Sequence, residues 1–236
     1  MFTSVVYSDL NNGILSRMQK GELADAIEDC RYGLGILRQR LKDFEHGIDE
    51  DEERSITWTC GSFSVPVFDA TDGSGNIWES GHNLFTFYPK AISVSGVLTS
   101  ELDHSIALVC LLYNMALCQH KLHGYQRKGF TRTAPLYKAA LNIISSSWPA
   151  QLVEDNLNLL LALCANLGHV YCHHGFYNET REYINILRSL LSPPSSCSKD
   201  VCFAYNRLPH DDFMAFHESA LTFFDDDQVL TISPAA

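Results

Sequence analysis

The run Asn166-Leu167-Gly168-His169-Val170-Tyr171-Cys172-His173-His174-Gly175 decides the fold, because it joins two strongly periodic apolar patterns. Upstream and through it, Leu157, Leu160, Leu161, Cys164, Leu167, Gly168 and Tyr171 recur at the spacing of one helix face. Downstream, a second helix opens after Asn178, carries Ile184, Leu187, Leu190 and Leu191, and stops at Pro193-Pro194. Gly175 marks the turn between them. Counted from Gly168, the positions Gly175, Thr180, Ile184 and Leu187 follow at 7, 12, 16 and 19 residues.

The same offsets recur near the N-terminus, where Ile14 leads to Gly21, Ala26, Cys30 and Gly33. A third set runs from Ala116 to Thr133, Tyr137 and Ala140, with its last three positions equally spaced but five extra residues in the turn. The physical sense of such a pattern is antiparallel helices packed in series. Small residues at the crossings let backbones approach, and larger ones fill the space around them.

Working outward, Leu23, Ile27, Cys30, Leu34, Leu37, Leu41 and Phe44 trace one face of a long amphipathic helix that ends at His46-Gly47. An acidic run from Asp49 to Glu53 reads as a solvated linker. Residues 55–98 then lose helical periodicity. Phe63, Val65 and Val67, with Pro66 pointing to an edge, and Leu84-Phe85-Thr86-Phe87-Tyr88 read as two strands of a β-hairpin. The turn-rich connection runs from Asp69 to Asn76, with Asp72-Gly73 and Ser74-Gly75 within it. Helical pattern resumes at Ser100, an N-cap with Asp103 three residues on. Leu102, Ile106, Val109, Tyr113 and Ala116 mark its face, and Thr133 with Pro135 near a first turn opens the next helix. In the tail, Phe213 to Phe224 reads as either helix or strand, and Val229 to Ile232 as a short strand.

These residues carry a family likeness. Asn166 to Tyr171 with Gly175 and its downstream positions resembles a tetratricopeptide repeat. Met18-Gln19-Lys20-Gly21-Glu22-Leu23-Ala24-Asp25-Ala26-Ile27 resembles the turn and second helix of such a repeat, and Leu136-Tyr137-Lys138-Ala139-Ala140-Leu141 the end of a second helix. The likeness covers roughly 1–42 and 100–192, departing in the absence of Trp from the first helices, of the closing Pro in the first repeat, and in the period broken at 55–98. It implies a mainly α chain, a superhelix of about three helix pairs with a small β-hairpin insertion. As one domain over 1–236, this places pair 1 at 8–46, the insertion at 55–98, pairs 2 and 3 at 100–192, and a tail at 193–236.

Composition narrows the function. The 236 residues carry 28 acidic against 17 basic side chains, a net charge of −11 that opposes nucleic-acid phosphates. No unbroken apolar run reaches the roughly 20 residues of a membrane span, and the N-terminus shows no signal peptide. Four of eight cysteines (Cys30, Cys110, Cys118, Cys164) fall on apolar helical faces, which favours a reduced, cytoplasmic setting. Cys197 and Cys202 could be free thiols or a small disulfide. No phosphate-binding loop or nucleophile motif occurs, and the pairs Asp211-Asp212 and Asp225-Asp226-Asp227 read as solvated loops.

Two constellations remain. Cys118, His120, Cys172 and His174 end neighbouring first helices, giving either a metal-binding or thiol-based activity or simple helix-end packing. Asn12, Asn114 and Asn166 each sit two residues before the first small position of their set. In the family that side faces a concave groove, and a carboxamide offers the donor and acceptor that an extended peptide's main chain needs. The alternative is hydrogen bonding to backbone within the scaffold. No Lys or Arg lies between Glu101 and His120 or between Gln151 and Tyr177, so the family's carboxylate clamp is missing. The reading is therefore a non-catalytic scaffold for a protein or peptide partner, with no cofactor, metal, nucleic acid or membrane.

Overall fold

A computed structural model describes residues 3–45, 59–64, 87–95, 100–123, 126–191, 208 and 210–222. Among them are eight helices and two short strands, a mainly α chain. The chain divides into two compact units, Met1–Ala70 with Pro89–Leu163, and Thr71–Tyr88 with Cys164–Ala236.

In the first unit, α1 (Thr3–Lys20), α2 (Leu23–Glu45), α3 (Glu101–His123) and α4 (Arg127–Ser147) each pack on the next. The α1–α2 turn is made by Gly21 at φ 78°, with the Glu22 N–H reaching back to the Arg17 carbonyl at 2.9 Å. That six-to-one bond is the Schellman ending, which needs the left-handed residue that Gly adopts without strain. Across the turn, Arg17 meets Glu22, Asp25 and Asp29 at 3.8, 3.3 and 2.6 Å, and at 40% exposure this cluster adds little stability. At Gly33 a larger residue would displace the side-chain ends of its neighbours. A Cβ there would come within 2.7 Å of Leu10 and 2.8 Å of Leu111, so α2 touches α1 and α3 at one point.

Helix α3 is buried on every side, its mainly apolar surface interrupted by a few polar residues: from Asp103 to His120 only Leu108 escapes burial. By length and hydropathy it alone among the described helices could cross a membrane, yet most of it is buried in the protein. Ser100 caps it, its hydroxyl accepting the Asp103 N–H at 3.1 Å while the Asp103 carboxylate accepts the Ser100 N–H at 2.8 Å. Helix α4 begins at Arg127 rather than at Thr133, so Pro135 lies inside it. Pro135 is exposed, on the side where a missing N–H bond and a slight bend are tolerated. The helix ends at Trp148, held extended (φ −91°, ψ 130°) as a residue before proline must be. The short α5 (Ala150–Asp155) follows Pro149, and the Trp148 indole N–H donates to the Ser105 hydroxyl at 2.6 Å.

Strands β1 (Thr59–Ser64) and β2 (Lys90–Ser95) pair antiparallel, Thr59 opposite Ser95 and Ser64 opposite Lys90. Strand β2 also lies against α1 and α3. The second strand thus starts after Tyr88, where the sequence composition had placed its end. Pro89 has no N–H to offer a ladder, whereas every residue from Lys90 to Ser95 does. Val65 to Val67, the Asp69–Asn76 connection, Leu84 to Thr86, Cys197, Cys202, Asp225 to Asp227 and Val229 to Ile232 lie outside the described residues.

Helix α6 (Leu157–His173) enters the second unit from Cys164 onward, joined there by α7 (Tyr177–Leu191) and α8 (His210–Thr222). Its turn repeats the first: Gly175 has φ 78° and the Phe176 N–H reaches the Tyr171 carbonyl at 2.9 Å. Thr180, Ile184, Leu187 and Leu191 form the buried stripe of α7, and Tyr171 stacks on Tyr183 with centroids 5.8 Å apart. Helix α8 makes the open tail segment helical as far as Thr222, Phe223 and Phe224 lying outside the described residues, and packs on α7, with Arg188 Nε donating to the Ala220 carbonyl at 3.0 Å. Asp211 and Asp212 are therefore not a solvated loop. They occupy the first turn of α8, where the helix dipole favours carboxylates, and Asp212 is fully buried.

The spaced positions behave alike across the chain. Ala26, Thr133 and Thr180 are each 0% exposed, as are Cys30, Tyr137 and Ile184 at the next position. Ile14, Ala116 and Gly168, and Gly33, Ala140 and Leu187, are also buried.

Candidate functional site: two carboxamide clasps

Asn114 sits in the middle of α3 with no exposed surface. Its Oδ1 accepts the N–H of Ile92 at 2.9 Å and its Nδ2 donates to the carbonyl of the same residue at 2.7 Å. One turn of carboxamide thus closes a two-bond ring on one residue of β2. Beside it the Tyr113 hydroxyl donates to the Lys90 carbonyl at 2.8 Å. Lys90 and Ile92 share one edge of the strand, since main-chain groups alternate sides along an extended chain. Tyr113 and Asn114 therefore take three main-chain groups on the edge of β2 that faces away from β1. Side chains complete the arrangement, with Ala91 and Ile92 buried and Lys90 half-buried.

The second unit contains the same device. Asn166 of α6, also without exposed surface, accepts the Tyr88 N–H at 2.8 Å and donates to the Tyr88 carbonyl at 3.0 Å. The Tyr88 ring lies 4.6 Å from that of Phe216 in α8, and Phe87 lies 5.6 Å from His169. Burial, aided by the neighbouring His173 and His174, pushes the His169 pKa down to about 3, so the ring is neutral at physiological pH.

Of the three expected asparagines, then, Asn114 and Asn166 make the same bonds in separate units, each to the chain's own extended segment. Asn12 makes no comparable clasp among the described residues: it is exposed on α1, and its neighbour Asn11 is the buried one. Tyr113 was legible only as an apolar-face residue, because nothing local announces that its hydroxyl meets a strand carbonyl.

The Cys/His constellation has a different character. Among the described residues no three His, Cys, Asp or Glu side chains are placed to hold a metal ion. His120 lies buried against the Tyr137 ring, its Nδ1 3.4 Å from the phenol oxygen. Burial pushes the thiol of Cys118 up to about 12 and that of Cys172 up to about 11, away from the thiolate that nucleophilic or redox chemistry needs. Comparison of the chain with protein-family models, curated proteins and solved structures finds no match.

Proposed function

We propose that this chain is a non-catalytic interaction scaffold, a tetratricopeptide-like superhelix whose first helices hold extended polypeptide by its main chain. The observation that carries the reading is the pair of clasps, in which one buried carboxamide takes both main-chain groups of a single extended residue. Such a contact reads backbone rather than side chain, which suits a surface that accepts a strand. The net charge of −11 favours a neutral or basic protein partner, with an association rate that falls as salt rises. A cytoplasmic setting fits the five cysteines that are free among the described residues.

The test is affinity capture with wild-type, Asn114→Ala and Asn166→Ala chains, each first measured for helicity and melting temperature. A partner held by the wild type and lost from a folded variant supports the scaffold reading. Equal retention by both variants, with lowered melting temperatures, would assign the carboxamides to internal stability alone.

A further inference from the structure

We propose that the open side of α7 is a docking surface for a basic amphipathic helix of a protein partner. The proposal rests on the scaffold reading only in taking the partner to be a protein, since the surface is separate from the asparagine clasps. Helix α7 carries two stripes of identical spacing, one residue apart. Thr180, Ile184, Leu187 and Leu191 are buried by the chain itself. Glu179, Tyr183, Ile186 and Leu190 repeat the same steps of four, three and four, and none of them is buried. Such alternating steps are what one helix presents to another laid along it. Ile186 is 40% exposed, and Phe176, edge-on to Tyr171 at the head of the stripe, is 41% exposed. Charge selects the occupant. At about 3.6 residues per turn, Glu179 and Glu182 fall on this open side and Arg181 and Arg188 on the other, where Arg188 Nε donates to the Ala220 carbonyl of α8. Among the described residues neither glutamate meets a cation within ion-pair distance. An apolar stripe edged by carboxylates alone suits a helix that brings Lys or Arg beside its own apolar seam. A second copy of this chain would instead bring the same two glutamates and a further net charge of −11.

The test uses the full chain and a fluorescent helical peptide of Leu and Lys in heptads, Leu on the seam and Lys beside it, with a counterpart carrying Glu for Lys. Anisotropy should show saturable binding of the Lys peptide and none of the Glu peptide. Ile186→Lys should weaken binding roughly tenfold or more, and so should Glu179→Gln combined with Glu182→Gln. Asp9→Asn with Glu28→Gln removes two exposed carboxylates from α1 and α2 and should leave the affinity unchanged. Absence of saturable binding, indifference to Ile186→Lys, or an equal loss in the α1–α2 pair overturns the proposal, the last by showing attraction to overall charge alone. A wild-type dimer that Ile186→Lys disperses in sedimentation also overturns it, because a second copy would then be the occupant. Should Ile186→Lys fail to fold, carbodiimide coupling on the wild type decides: peptide lysines joined to Glu179 or Glu182 support the surface, and coupling only to carboxylates elsewhere refutes it. If the peptide fails while a captured partner still depends on Asn114 or Asn166, the α7 surface is wrong and the scaffold stands; a captured partner indifferent to both asparagines counts against the clasps and not against α7.

Discussion

A carboxamide and a carboxylate have the same shape, and at Asn114 the difference is one hydrogen bond turned into a repulsion. Asn114→Asp keeps an oxygen for the Ile92 N–H but sets a second oxygen against the Ile92 carbonyl, where the donor now lies 2.7 Å away. Asn114→Ala leaves both main-chain groups without that partner, and a buried unpaired group costs about 1–3 kcal/mol. We expect a loss of about 2 kcal/mol or more for Ala in urea unfolding. The Asp variant should lose at least as much at neutral pH and recover part of it near pH 5, because a protonated carboxyl donates as well as accepts. No recovery on acidification relative to wild type would contradict the clasp geometry. His169 makes the opposite prediction for its own unit. Its folded pKa of about 3 lies below the ordinary value of 6.5, so between these the unfolded chain binds the proton and the folded chain does not. Stability is therefore intact above about pH 6.5 and falls by up to about 1.4 kcal/mol per pH unit below it. His169→Gln should flatten that slope in urea titrations at pH 7, 6 and 5.

At the scale of the helix, two glycines two residues apart in α2 should respond with opposite signs. Gly35 is exposed with open space around it, so Gly35→Ala should stabilise by about 0.5–1 kcal/mol through helix propensity alone. Gly33→Leu should destabilise by about 1–3 kcal/mol, because Leu10 and the fully buried Leu111 already fill its surroundings. Stabilisation by both, measured as thermal midpoints, would refute the close approach. What made Gly33 legible was recurrence: the offsets from Ile14 match those from Gly168, and both turn glycines share one backbone conformation. Local chemistry of this kind reads well, as the Ser100 cap shows. Position relative to a distant element reads poorly. Pro135 looked like a first-turn proline, but packing of α4 on α3 extends the helix back to Arg127. The asparagines announced a main-chain contact, while the identity of their partner depended on a separation of 22 residues in one case and 78 in the other. No periodicity in the helix encodes that register.

At the scale of the whole chain, the enclosure of α3 has a consequence for how the protein is made. Synthesis delivers α1 and α2 first, then α3, and only afterwards α4, which covers much of it. Until α4 emerges, α3 is a 23-residue segment long enough, and marginally apolar enough, for a membrane span, with one flank bare. A nascent chain stalled at that stage offers chaperones, detergents and bilayers a surface that the finished protein hides. A fragment ending at Gln126 should accordingly aggregate or partition into detergent micelles, whereas one carried through Ser147 should not. Equal behaviour of the two in sedimentation would show that α4 is not the cover. On the expected outcome, the interval between translating His123 and Ser147 would be the window of exposure, set by the order in which a buried helix and its cover leave the ribosome.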